Sequence, residues 1–380
     1  MTTSPVHSCP VRRKHRATVA AIRALACLAG PGGKLPTVRE LSARLAVAKA
    51  TVDDALDTLA AHGLVRRKHG SGIYVLPAIR QKTVGIVFGG DIFSPGFSPF
   101  WSLLLQAIQA QTAGCDLQPR AYLDIAGGRQ GLGDHHQLME DLHAERLHAL
   151  LLIAPQSGWD ECDFVRSLTI PLVTLDARDM GWVAGFDERA LLRLAAHAVV
   201  DGGPARRIAL LGFEPNRELL EDELRGAGYA GEPVLDWSHL HWASRFSAGD
   251  TQEHCARRLV AQLLSSAGRE AVPDVIVSTE DTMTRGAVTA LQGAGLQVGR
   301  DVRIVTSENR GSPVLEPYAD CLTRIVFDPA ECIRAALGML EVLMDGGTPP
   351  ERMVLIAPHL AGTPDAASIV PVRPRGEMDT

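Results

Sequence analysis

The stretch that decides the reading of the N-terminal part is LPTVRELSARLAVAKATVDDALDTLAAHGLVRRKHGSGIYV, residues 35–75. Thr37 with Glu40 three positions later forms the pattern of a capping box, in which each side chain satisfies the other's free backbone N–H. A helix is expected from there over 38–45, burying Val38, Leu41 and Leu45. Ala46-Val47 leaves room only for a tight turn before a second helix, about 48–61, with Val52, Ala55, Leu56 and Leu59 on its apolar face. Gly63 stands where a helix C-cap glycine belongs. Two helices joined so closely make a helix-turn-helix, whose second member fits a DNA major groove. Then come a short strand, a glycine turn at His69-Gly70-Ser71-Gly72 and the strand Ile73-Tyr74-Val75, a two-stranded wing. Arg66, Arg67, Lys68 and His69 on that wing are placed to reach phosphates or the minor groove.

Upstream, Val19, Ile22, Leu25, Ala26 and Leu28 give a helical stripe over about 16–29, ended by Gly30-Pro31-Gly32-Gly33. Residues 1–15, with Arg12, Arg13, Lys14 and His15, are expected to be a disordered basic arm. The charge agrees with this division. Residues 1–82 hold 14 Lys+Arg and 4 Asp+Glu, and the rest hold 24 and 40, so a head of +10 sits on a body of −16 within a chain of net −6. A basic head on an acidic body points to a polyanionic partner for the head. Seven scattered cysteines without a CxxC pair argue against zinc and disulfide frameworks and fit a reducing cytoplasm. No run of about 18 apolar residues and no export signal is seen, so no membrane partner is expected.

From Thr83 the pattern changes to short apolar strands alternating with amphipathic helices, after a linker at 77–82. Strands are expected at 84–88, 117–122, 149–153, 172–175, 183–186, 208–211, 275–278, 302–306 and 322–326, with helices between them and a last one at about 329–345. This order predicts parallel sheets with helices on both faces, and so many strands predict two sheets. The first strand runs into Asp91, Phe93 and Pro95-Gly96 rather than a dinucleotide fingerprint, and no phosphate loop, GxSxG or HExxH occurs. His135-His136 and His239/His241 lack carboxylate or cysteine partners at ligand spacing and read as surface histidines. No metal, cofactor or catalytic residue is expected.

The head resembles the DNA-binding domain of the GntR family of bacterial regulators. The matching pieces are Leu35-Pro36-Thr37-Val38-Arg39-Glu40-Leu41, Lys49-Ala50-Thr51-Val52, Ala55-Leu56, Leu59, Gly63-Leu64-Val65 and Gly70-Ser71-Gly72. The resemblance implies that Arg39, Lys49 and Thr51 face DNA and that Gly70 and Gly72 let the wing backbone approach it. Three departures stand out: Ala48 in place of a serine N-cap, Ala46 in place of a turn glycine, and Asp53-Asp54 in place of an arginine and a glutamate. Asp53 would repel phosphate or accept from a cytosine amine, or else simply be solvated at the helix start.

The body resembles the effector-binding domain of the LacI family, which shares its fold with periplasmic sugar-binding proteins. The carriers are Phe97-Ser98-Pro99-Phe100-Trp101, Ile170 to Arg178, Val183 to Glu188, Arg206 to Gly212, Glu280 to Ala287, and Leu322 to Ile325 with Pro329. The resemblance implies two lobes closing on a cleft, with three crossovers as hinges. It places Phe100 and Trp101 in the cleft, Arg217 on ligand oxygens and Asp281 on ligand hydroxyls or ring nitrogens. Trp242 aligns poorly as a further wall, and Glu280, replacing an asparagine, disfavours phosphorylated ligands and favours a neutral or cationic one.

The expected architecture is therefore α/β: a mostly helical winged helix-turn-helix at 16–76, then a two-lobed periplasmic-binding-protein-like domain at 83–380 with two parallel sheets. Lobe one would hold about 83–186 plus 308–327, and lobe two about 187–307 plus 328–372. The expected function is a cytoplasmic, homodimeric transcription regulator that binds double-stranded operator DNA as a repressor. A small-molecule effector, a sugar before a nucleobase, would control it. An aminotransferase-like body is excluded because no lysine follows Lys82. A binding protein whose head has lost operator binding is the alternative.

Overall fold

The computed structural model describes residues 10–89, 92, 98–123, 132, 135–154, 163–175, 181–212, 217–237, 250–267, 272–362 and 369–371. The chain divides into two compact units. One holds residues 1–84 with 114–118 and 141–147, and the other holds the remainder.

In the first unit, α1 (Pro10–Ala29), α2 (Val38–Leu45) and α3 (Lys49–Ala61) surround one core with a three-stranded sheet. Ile22, Ala26, Leu41, Val52, Ala55, Leu56 and Leu59 meet Leu35, Val65, Ile73 and Val75 there. The sheet runs β1 (Lys34–Leu35), β3 (Gly72–Val75), β2 (Val65–Lys68), with both pairings antiparallel. Two expectations for α1 need correction. The helix starts at Pro10, so residues 10–15 are helical rather than a loose arm. Proline suits a first helical turn and nothing breaks the helix before Gly30. Leu28 is 85% exposed, because it lies off the stripe through Ile22 and Ala26.

The second unit carries two sheets. The first has strand order β16 (Ile369–Pro371), β14 (Met353–Ile356), β8 (Trp182–Phe186), β7 (Leu172–Leu175), β6 (Ala149–Ile153), β4 (Lys82–Phe88), β5 (Leu117–Tyr122). The second runs β10 (Leu235–Asp236), β9 (Ile208–Leu211), β11 (Val275–Ser278), β12 (Arg303–Asn309), β13 (Thr323–Phe327), β15 (His359–Leu360). Most pairings are parallel, and the C-terminal β15 and β16 pair antiparallel with β13 and β14. Strands such as Leu150, Leu151, Leu152 and Ile153 are buried end to end, as strands covered on both faces must be. The helices are α4 (Phe100–Thr112), α5 (His136–His143), α6 (Asp163–Ser167), α7 (Glu188–Asp201), α8 (Arg217–Gly226), α9 (Gln252–Ala267), α10 (Asp281–Gly293) and α11 (Pro329–Met344).

The split between lobes differs from the expected one at its C-terminal end. β13 extends the second sheet beside β12, whereas α11 packs on α4 and on β6, β7 and β8 of the first. Residues 308–327 therefore belong to lobe two, and α11 with β14 to lobe one. The chain crosses between lobes at Asp187, at Asp328, between β14 and β15, and again between β15 and β16. Both aspartates are N-caps: Ala190 N–H donates to Asp187 Oδ1 at 2.9 Å, and Ala330 N–H to Asp328 Oδ1 at 2.9 Å. Each of these two crossings is thus a strand end that turns directly into a capped helix. Asp187 N–H also donates to the Ile356 carbonyl at 2.9 Å, which binds the first crossing to the third.

Candidate functional site

The first candidate site is the surface of the helix-turn-helix. Thr37 caps α2 as expected: Glu40 N–H donates to its hydroxyl at 3.3 Å, and Thr37 N–H donates to Glu40 Oε2 at 2.8 Å. The Thr37 N–H, and then the Thr37 hydroxyl, which donates to Oε2 at 2.9 Å, hold the Glu40 carboxyl below the usual carboxylate range. This fixes the start of α2, from which exposed Arg39 projects. Ala46 ends α2 with φ +54°, the left-handed conformation a glycine adopts more easily. Ala48 caps α3 without a side-chain hydrogen bond. Lys49 at the start of α3 is exposed and Thr51 half-buried.

On the wing, Arg66, Arg67, Lys68, His69 and Gly70 are exposed. Gly70 has φ +68° and Gly72 +127°, and a Cβ on Gly72 would lie 2.5 Å from Lys34 Cε. Those glycines are needed by the turn itself. Lys34, which sequence reasoning passed over, stands beside the wing with its Nζ 5.9 Å from the Tyr74 ring centre. Its place on the strand paired with β3 was the available signal.

Asp53, half-exposed at the start of α3, also has a partner that its own helix does not reveal. Arg67 reaches back from the wing, with Nη2 3.1 Å from Asp53 Oδ1 and 3.0 Å from the Asp53 carbonyl, and Nη1 3.5 Å from Asp57. Asp53 and Asp57 lie one helical turn apart on α3 and hold Arg67 between them. The departure at Asp53 therefore fastens the wing to the recognition helix.

The second candidate site is a cavity of about 360 Å³ between the two sheets. Its polar lining includes Ser98, Gln252, Thr279, Ser307 and Asn309, with Glu188 and Glu280 as the charged members. Phe100, Trp101, Phe186 and Phe327 supply aromatic walls, with ring centres 5.6 Å apart for Trp101–Phe100, 5.8 Å for Phe100–Phe186 and 4.8 Å for Phe186–Phe327. Phe186 ends β8 and Phe327 ends β13, so the aromatic row passes from one lobe to the other. Thr279 follows β11 and Ser307 and Asn309 lie late in β12. Carboxyl ends of parallel strands are where open α/β sheets bind ligands, and that rule was the signal that could have found these residues.

Residues 27–75 match the family model of bacterial regulatory proteins, gntR family, and residues 196–361 match that of the periplasmic binding protein-like domain. The chain joins a GntR-type head to a periplasmic-binding-protein-like body. Solved structures agree in fold. A LacI family transcriptional regulator from Arthrobacter sp. FB24, in complex with lactose, is 19% identical at a TM-score of 0.58, covering 74% of this chain and 97% of its own. The Lac repressor bound to ONPG is 18% identical at 0.58, with coverages of 82% and 88%. The transcription regulator CcpA of Lactococcus lactis is 12% identical at 0.55, with coverages of 74% and 97%. No curated protein matches. A gntR-family model over the head and a periplasmic-binding-protein-like model over the body support a ligand-responsive, DNA-binding transcription regulator. No helix among the described residues is long and apolar enough to cross a membrane.

Of the ligand residues expected in this body, Phe100 and Trp101 line the cavity and two others do not. Asp281 is 1% exposed, and its Oδ2 accepts from the Ser312 hydroxyl at 2.8 Å. Burial raises its carboxyl, opposed by that hydroxyl, the Thr282 N–H and the Asn309 amide. It braces the base of α10, and its neighbour Glu280 lines the cavity instead. Arg217 opens α8 with its Nε 3.8 Å from Glu221, an i,i+4 surface pair, and is absent from the described lining. Trp242, His239 and His241 lie outside the described residues. His136 is exposed and pairs with Glu140 at 3.8 Å, while His135 stands edge-on to Tyr122 with centroids 5.6 Å apart. No metal-ligating cluster occurs among the described residues.

Proposed function

We propose that the protein is a cytoplasmic, homodimeric repressor whose operator binding is relieved by a sugar-class effector in the interlobe cavity. The observation that carries this reading is the make-up of that cavity. Aromatic walls at Phe100, Trp101, Phe186 and Phe327 face hydroxyl and amide groups of Ser98, Thr279, Ser307, Gln252 and Asn309. An apolar ring face and a hydroxylated rim are what such a lining complements. Fold neighbours whose structures contain lactose or ONPG favour a sugar over a nucleobase. Arg39, Lys49, Thr51, Arg66, Arg67, Lys68 and His69, with Gly70 and Gly72 shaping the wing, form the DNA-facing surface. Two copies would set two recognition helices on half-sites about one helical turn apart. Effector binding would shift the balance between lobe arrangements and thereby the spacing of the heads.

The test pairs two measurements on the full chain. A thermal-shift panel of neutral sugars, amino sugars and purines finds the effector, because a ligand of the folded state raises the melting temperature by mass action. A gel shift with DNA from upstream of the coding region is then run with and without the hit. Operator binding that weakens with a sugar supports the reading. A purine hit overturns the sugar class, and binding that strengthens with effector overturns repression by the free form. No DNA binding at any salt concentration favours the alternative, a body whose head has lost its operator.

A further inference from the structure

The charge of the cavity narrows its occupant further, an inference that rests on the reading of this cleft as a sugar site. Trp101, Phe100, Phe186 and Phe327 form its continuous aromatic row. Glu188, the first residue of α7, and Glu280, the N-cap of α10, also line it. No lysine, arginine or histidine stands among its described lining residues. Glu280 makes no capping hydrogen bond to α10, so its carboxyl is not committed to the helix. The charged groups that act on it, Asp281 and Glu188, are both acidic.

Helix N-termini ordinarily favour anionic ligands. Here both helix starts bring acidic residues of the chain to the cavity, so a phosphate or carboxylate ligand would find acids and no cation among the described lining residues. A cation meets the opposite: two acids, and aromatic rings whose faces carry negative charge density. We propose that the cleft selects an amino sugar, a sugar-sized ring bearing a protonated amine, with Glu280 and Glu188 as the residues that set this preference. Burial, then Asp281 and Glu188, push the Glu280 carboxyl up to about 8. An entering ammonium supplies a counter-charge to Glu280, whose carboxyl proton passes to solvent as the amine takes its place.

The test uses the full-length protein and isothermal titration calorimetry near neutral pH. The probes are glucosamine, galactosamine and mannosamine, each beside its neutral parent hexose and its N-acetyl derivative, with adenine and guanine as non-sugars. At least one hexosamine is expected to bind about tenfold or more tightly than its parent, the scale of one desolvated cation contact. Glu280→Gln should bring that ratio to within about threefold of unity by weakening the amine alone. Glu188→Gln should lower the same ratio by a smaller factor, and serves if the first variant does not fold. A neutral hexose that binds as well as its amine, in the wild-type protein, overturns the inference and leaves the sugar reading intact. A purine that binds where no hexosamine does overturns both. A panel in which no hexosamine binds also overturns the inference.

Discussion

Replacing Glu280 by glutamine removes the most strongly perturbed acid of the cavity, and the effect on stability carries a definite sign with pH. Glu280 is raised from an ordinary 4.5 to about 8, first by burial, then by Asp281 and Glu188. A carboxyl with a raised folded pKa keeps its proton in the native state at pH values where the unfolded chain has lost it. The unfolded state therefore binds fewer protons between about pH 4.5 and 8, and stability falls as pH rises through that window. Each unit is about 1.4 kcal/mol, so a shift of that size corresponds to at most about 5 kcal/mol. Glu280 keeps partial access to cavity water, which screens the cost, and about 1–3 kcal/mol is the expected share. Glu280→Gln should match the wild type in thermal stability near pH 5 and exceed it progressively up to pH 8. Melting curves by circular dichroism at half-unit intervals measure this directly. A difference between the two proteins that stays constant from pH 5 to 8 would refute the argument. So would a variant that gains stability only at the acid end.

Three further outcomes follow from the head. Thr37→Ala removes one half of the capping box and strands the Glu40 N–H; the loss should be about 1 kcal/mol of stability, read by chemical denaturation of the head's transition. Asp53→Ala removes the nearer of the two carboxylates that hold Arg67 and so loosens an exposed pair, with Asp57 and the backbone carbonyl remaining; stability should change by less than about 1 kcal/mol. DNA affinity should rise in the same variant and its dependence on salt should steepen, as one more cation becomes available to phosphate; unchanged salt dependence in an anisotropy titration would contradict the clamp. Arg39→Ala should weaken operator binding by about 1–3 kcal/mol without moving the melting temperature, and equal affinity for wild type and variant would remove Arg39 from the interface.

The elements of the head were legible because local signals agree there. The Thr37–Glu40 box, the apolar faces of α2 and α3 and the wing glycines each act within a few residues. Strands such as β5, β6, β7, β9 and β11 were legible as apolar runs of the right length. Membership of a sheet was not. A parallel strand carries no mark of which sheet it joins, so β13 and α11 were assigned to the wrong lobes. The decision is made by Asp328, which caps α11 after β13 has ended in the second sheet.

Pairings across elements were equally hidden. Asp53 reads as solvated from its own helix, and only the return of the wing brings Arg67 to it. At the cavity, adjacent acids at one helix start take opposite roles, Glu280 on the wall and Asp281 beneath it on Ser312. Their order in sequence does not say which side chain turns inward. Lys34 reaches the wing only through the pairing of β1 with β3.

In the proposed mechanism, occupancy of the interlobe cavity controls the grip of the head on DNA. Fluorescence anisotropy of labelled upstream DNA, titrated with the full chain at fixed salt, tests it when repeated with the ligand that gives the largest thermal shift. A measurable loss of operator affinity is expected at saturating ligand, a loss that Glu280→Gln moves to higher ligand concentration. A ligand that fills the cavity and raises the melting temperature, yet leaves the DNA titration unaltered, would contradict it.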